Sequence, residues 1–193
     1  MNWEELERSR KDAEEKCRSL AKELFPKTRY NVKRAWVVSE NPVAPTEFKC
    51  MIDFVRKDYS PDIDCESYCE GVENYRECVR NCRDNLKSAI VSSVKVDLNT
   101  RSVEESSITG LCEYAWGDPE EDYEEFEKKV KEFEKEFKEI GCDVSGGWIH
   151  SHEIASLGYE VEEEYPAICY YHPKKSDSGC KIDDVLKLVE KKI

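Results

Sequence analysis

The chain reads as an α+β protein: an antiparallel or mixed sheet with two long helices packed on it, plus a disulfide-stapled helical hairpin inserted between strands. Three observations carry this reading. Two long segments repeat apolar residues three and four apart, and six shorter segments alternate apolar and polar residues in neighbouring pairs. Four cysteines in the middle of the chain fall as two Cys-x-x-x-Cys groups. Strands that are neighbours in sequence pair antiparallel through short connections, and amphipathic helices then cover a face of the sheet.

The first helix is expected from about Trp3 to Leu24, with Trp3, Leu6, Ala13, Cys17, Leu20 and Leu24 on one face. Asn2 is its N-cap, Glu5 stands three residues on, and Pro26 stops it. The second helix has Asp118 as cap, Pro119 in the first turn and Glu121 to complete a capping box. Tyr123, Phe126, Val130, Phe133, Phe137 and Ile140 form its stripe, and Gly141 ends it. At helical spacing such a stripe reads as core rather than as a partner groove. Glu124–Lys128, Glu127–Lys131 and Glu134–Lys138 are i,i+4 pairs for its wet side. A third, short helix is expected from Lys181 to Lys192.

Alternation places strands at Tyr30–Val38 and Phe48–Phe54, at Ile90–Leu98 and Val103–Tyr114, and at Val144–His152 and Pro166–His172. The 193 residues suit a single domain, 1–193, carrying a cysteine-rich insertion at 60–86. In that insertion Cys65 and Cys69 lie one helical turn apart, as do Cys78 and Cys82. Ser60-Pro61 starts a first short helix, Gly71 breaks it, and Val72 to Asp84 makes a second. Folded antiparallel, the two stripes meet, with Cys65 opposite Cys82 and Cys69 opposite Cys78. The arrangement resembles the twin Cx3C helical hairpin of small disulfide-stapled families. Four thiolates could also hold zinc or an iron–sulfur cluster, but structural zinc takes its thiolates from tight C-x-x-C turns, so disulfides are expected. The other six cysteines (Cys17, Cys50, Cys112, Cys142, Cys169 and Cys180) are too scattered to pair from spacing.

Composition narrows the functional classes. The net charge of −13 argues against nucleic acid, whose backbone is held by basic patches that release counterions. Duplex binding would require the Arg29–Arg34 strand and its neighbours to form a basic face. No apolar stretch suits a membrane span, and the polar amino terminus lacks the features of a secretory signal. Ten cysteines in such a chain match the disulfide-rich intracellular proteins of hyperthermophiles. The absence of glutamine and the interleaved Glu and Lys agree, since ion-pair networks suit high temperature. The expected source is a hyperthermophilic archaeon or one of its viruses, and the expected location its cytoplasm or the virion, with a secreted form left open.

All three histidines, His150, His152 and His172, fall late in the chain. His150 and His152 flank Ser151, so on a strand they share a face. If the following hairpin turned near Val161, His172 would lie across from His150, giving a three-histidine zinc shell with an open position. Gly147-Trp148-Ile149-His150-Ser151-His152 resembles the Gly-Trp-x-His-Ser-His stretch of the JAMM/MPN metalloisopeptidases. The helix before it and the strand Ala167–Tyr171 running into His172-Pro173 are similar too. In that family two histidines and an Asp hold zinc, an upstream Glu is the general base, and a Ser aids the oxyanion. The resemblance implies His150 and His152 as ligands. Glu163 stands in place of the Asp, Glu160 in place of the Ser and Glu153 in place of the usual Pro; Glu47 and Glu113 are the candidates for the base. The third ligand is thus His172 or Glu163.

No complete catalytic set, phosphate-cradling loop or G-x-S-x-G elbow is present, so no catalytic residue is assigned. The first expectation is a non-enzymatic binding or structural protein with a protein as partner, and neither nucleic acid nor membrane. The alternative is a zinc-dependent hydrolase or isopeptidase of JAMM-like type using His150 and His152, zinc being the one cofactor suggested.

Overall fold

The computed structural model describes residues 2–41, 47–57, 65–112, 119–149 and 167–192. In chain order the elements are α1 (Trp3–Leu24), β1 (Tyr30–Ser39), β2 (Phe48–Arg56), α2 (Cys65–Tyr68), α3 (Tyr75–Ile90), β3 (Ser92–Asp97), β4 (Val103–Cys112), α4 (Pro119–Glu139), β5 (Cys142–Asp143), β6 (Gly146–Ile149), β7 (Ala167–Tyr171), β8 (Lys174–Lys175) and α5 (Ile182–Lys192). Six strands form one sheet in the order β1-β2-β3-β4-β7-β6, and every described pairing in it is antiparallel. The fold is α+β, and of the two sheet types expected it is the antiparallel one. β5 and β8 make a separate two-stranded pair.

α1 starts where its cap places it. The Asn2 side chain accepts from the Glu5 amide at 2.8 Å and the Glu5 carboxylate faces the Asn2 amide, completing a capping box. Ala13, Cys17, Leu20 and Ala21 are buried against β1 and β2. Trp3, expected on that face, is instead 73% exposed. Twenty-two helical residues extend roughly 33 Å, and the buried positions run only from Ala13 onward.

On β2, Cys50, Ile52 and Phe54 alternate into the core and meet Val94 and Val96 of β3. Phe54 packs on Phe25 and, edge-on, on Tyr30, with ring centroids 4.9 and 5.0 Å apart. α4 buries Phe133 and Phe137, and Phe133 meets Tyr171 of β7 edge-on. Core is therefore the role of the described part of the aromatic stripe. Of the three expected i,i+4 pairs only Glu134–Lys138 is an ion pair among the described residues, at 3.3 Å; Lys129 reaches Glu132 instead. Gly141 ends the helix at φ +85°, and a Cβ there would stand 2.5 Å from the Ser178 carbonyl oxygen, so the position requires glycine.

α5 inserts Ile182, Val185, Leu186 and Val189 into the same core. Arg101, itself at φ +63° in the β3–β4 turn, anchors it by pairing with Asp183 and also reaches Glu23 of α1. Disulfides reinforce this body. Cys17–Cys50 ties α1 to β2, and Cys142–Cys180 ties β5 to the approach of α5.

The insertion forms the expected helical hairpin with the expected pairs, Cys65–Cys82 and Cys69–Cys78. Its second helix differs in extent. It starts at Tyr75 rather than Val72 and runs to Ile90, so the strand expected from Ile90 begins at Ser92. No Gly or Pro interrupts Tyr75–Ile90, so nothing in the sequence stops the helix before the sheet takes over.

Candidate functional site

Strand ends decide where the histidine chemistry can assemble. Phe54 of β2 pairs with Ser92 at the start of β3, Cys112 of β4 pairs with Ala167 at the start of β7, and Ile149 of β6 pairs with Ile168. β2, β4 and β6 therefore end, and β3 and β7 begin, at one end of the sheet. His150, His152, Glu153, Glu160 and Glu163 lie outside the described residues, as does Glu113. The strands leading into His150 and into Glu113 are β6 and β4, which flank β7 on either side. Two strand spacings, about 10 Å, separate those strand ends.

His172 is described, and it sits at the opposite end of the sheet. Its amide donates to Ser145 O at 2.8 Å, and the register Gly146↔Tyr171 centres the β6–β7 pair between positions 158 and 159 rather than at 161. Ile168, the partner of Ile149, is four residues from His172, about 13 Å along the strand. The three-histidine arrangement expected from a turn near Val161 is not the one this register forms. Instead the half-buried His172 ring places Nδ1 3.0 Å from the Ser106 carbonyl oxygen. A carbonyl only accepts, so Nδ1 carries the proton. Glu47 precedes β2 and so belongs to this same far end, away from the strand end that leads to His150. Among the described residues no group of three or more His, Cys, Asp or Glu side chains is placed to hold a metal ion.

At the His172 end the structure instead assembles a buried ion network. Lys49 is 7% exposed and donates to Asp97 at 2.7 Å and to Glu104 at 2.8 Å. A register shift in β4 between its pairings with Lys95 and Val96 makes Glu104 an extra residue there. Burial works against the Lys49 charge, but the hydrogen bonds to Asp97 and Glu104 outweigh it and raise its pKa. Burial likewise opposes ionisation of Asp97; Lys49 and the amides of Thr100 and Asn99 overcome it and hold the carboxyl well below its ordinary range. Every partner is satisfied internally, so this network is structural.

A concave feature lies between α1 and β1. Ala21, Phe25, Pro26, Tyr30, Val32 and Ala35 give an apolar surface to a groove of about 360 Å³. Among the described residues its charged lining is Arg18, Lys22 and Lys57, all cations, and none of them forms an ion pair with another described residue. β1 is an edge strand that pairs, among the described residues, with β2 alone. The Lys57 amide donates to Arg29 O, which directs the Arg29 carbonyl toward β2; two-residue periodicity then turns the Val32 amide outward. Asn31, Lys33 and Arg34 are exposed, and the Arg34 guanidinium lies 4.1 Å over the Trp36 ring. Sequence reasoning noted the basic Arg29–Arg34 strand but not the groove, because the groove needs the helix and the strand edge together.

Comparison with family models, with curated proteins and with solved structures finds no match for this chain. No described helix is long and apolar enough to cross a membrane.

Proposed function

We propose that the chain is a non-enzymatic, disulfide-stabilised binding protein that takes a protein partner along the edge of β1, and that it comes from a hyperthermophilic archaeon or one of its viruses. The observation that carries this reading is the juxtaposition of a ten-residue edge strand with an apolar groove beside it. A partner strand added to such an edge gains main-chain hydrogen bonds, and alternate side chains enter the groove, which supplies selectivity. The source and the cytoplasmic or virion location are supported by the cysteines, since no described cysteine is free, and by the interleaved Glu and Lys. Random-peptide display tests the reading, with Val32→Pro as the counter-target. Proline is tolerated at an edge position whose amide faces outward, yet it removes a donor from any added strand. Peptides retained by the wild-type chain and not by Val32→Pro are expected; equal retention would sink the proposal.

A zinc-dependent hydrolase of JAMM-like type is the second reading. What favours it is the strand register, which brings the ends of β4 and β6, leading to Glu113 and to His150, to one end of the sheet. With His172 at the other end, Glu163 is the third ligand this reading requires, and Glu113 its general base. Protein purified without chelator should then carry one zinc per chain, lost in His152→Ala with an unchanged melting curve. Metal-free protein that takes up no zinc on titration would end it.

A further inference from the structure

We infer that the partner segment at β1 is acidic and extended, with apolar residues alternating with Glu or Asp. The inference rests on the reading of β1 as a binding edge and names the chemistry of its occupant. The two faces of β1 differ. Tyr30, Val32 and Ala35 line the groove on the α1 side. Arg34 and Trp36 pair with Asp53 and Met51, positions that alternate with core-facing Ile52 and Phe54, and so belong to the opposite face. A strand added to this edge sends every second side chain to each face. On the α1 side it meets an apolar floor rimmed by Arg18, Lys22 and Lys57. On the other it meets Arg34, with Lys33 exposed beside it. Both faces therefore offer cations, Arg34 with Asp53 opposite it, and among the described residues the groove lining holds no carboxylate. The chain as a whole carries 43 acidic against 30 basic residues, so this strip runs against the general charge. At physiological ionic strength charges beyond roughly 8 Å are screened, and the local cations decide which segment is held.

The partner is a peptide rather than a nucleic acid because an edge strand supplies a ladder of amides and carbonyls, which a polypeptide matches and a phosphate backbone does not. The test uses the full chain with disulfides intact and fluorescence anisotropy of labelled seven-residue peptides. One alternates Glu and Val, one Thr and Val, one Lys and Val; a thymidine oligonucleotide is the fourth probe. The Glu–Val peptide should bind about tenfold tighter than the Thr–Val peptide, the worth of two or three exposed ion pairs. Arg18→Glu with Lys22→Glu should erase that advantage, as should raised salt, while Val32→Pro should weaken both peptides. Equal binding of the Glu–Val and Thr–Val peptides would overturn the acidic partner and leave the binding edge standing. Tighter binding of the oligonucleotide, or of the Lys–Val peptide, would overturn it in favour of another chemistry. Peptides that bind neither here nor in the display experiment would remove both readings together.

Discussion

Among the described residues the sheet body and the helical hairpin each show two disulfides, yet the staples do different work. In the body, Cys17–Cys50 and Cys142–Cys180 close stretches of 33 and 38 residues across a continuous core that runs from Cys17 to Val189. In the hairpin, Cys65, Cys69, Cys82 and Val79 are themselves the buried cluster, with Cys78 packed against it. Among the described residues the bridges there are the core, and little besides Val79 and the exposed Arg83–Glu66 pair would remain to hold α2 on α3. The body has a core that stands apart from its bridges; the hairpin does not.

Reduction should show the contrast at full scale. Each body bridge contributes ~3–4 kcal/mol by restricting the unfolded chain, so reductant should lower the melting temperature by well over ten degrees. The body should still melt cooperatively, whereas hydrogen exchange across 65–82 should be unprotected before heating begins. Identical melting curves with and without reductant would show that the bridges are not holding the fold. A single-site counterpart is Phe137→Ala, which empties a fully buried position and should cost about 4 kcal/mol by chemical denaturation. A cost below about 1 kcal/mol would mean that the core of the body is looser than its burial implies.

Next in size is the ion network. The Asp97 pKa is depressed in the fold, so its stabilising contribution is present above its unfolded value, about 4, and is lost as pH falls below that. Asp97→Asn should cost about 2 kcal/mol at neutral pH and flatten the acid side of the stability profile. An unchanged slope between pH 5 and 2 would assign the acid sensitivity elsewhere. The smallest effect on global melting is expected from replacing Cys65, Cys69, Cys78 and Cys82 together by Ser. The hairpin should lose its helical signal, and the melting temperature of the body should move by only a few degrees. A shift as large as that from losing Cys17–Cys50 would mean that the two regions fold as one unit.

What the sequence disclosed follows the same division between local and distant. The capping box at Asn2 and Glu5, the stop at Gly141 and the hairpin pairs Cys65–Cys82 and Cys69–Cys78 depend on residues close along the chain, and periodicity alone locates them. Cys17–Cys50 and Cys142–Cys180 depend on how α1 and α5 lie on the sheet, which no spacing rule encodes. The register that places His172 was hidden for a related reason. A shift of the β6–β7 centre from 161 to between 158 and 159 moves the residue opposite Ser145 rather than His150, and strand alternation is the same in either register. The groove at β1 was illegible because its lining joins α1, β1 and Lys57, which are brought together only by tertiary packing.

The position of α5 has a consequence for how the chain is made. Ile182, Val185 and Val189 are fully buried among residues drawn from as far back as Cys17. Of the described elements α1, β1 and β2 are made before the others, and Cys17 can meet Cys50 while the later strands and α5 are still unmade. The central cavity between sheet and helices nonetheless stays unfilled until α5, the last described element to leave the ribosome, docks through Arg101 and Asp183. Until then the apolar face of the sheet is open to water and to other nascent chains, and any chaperone that guards this protein has that interval to cover.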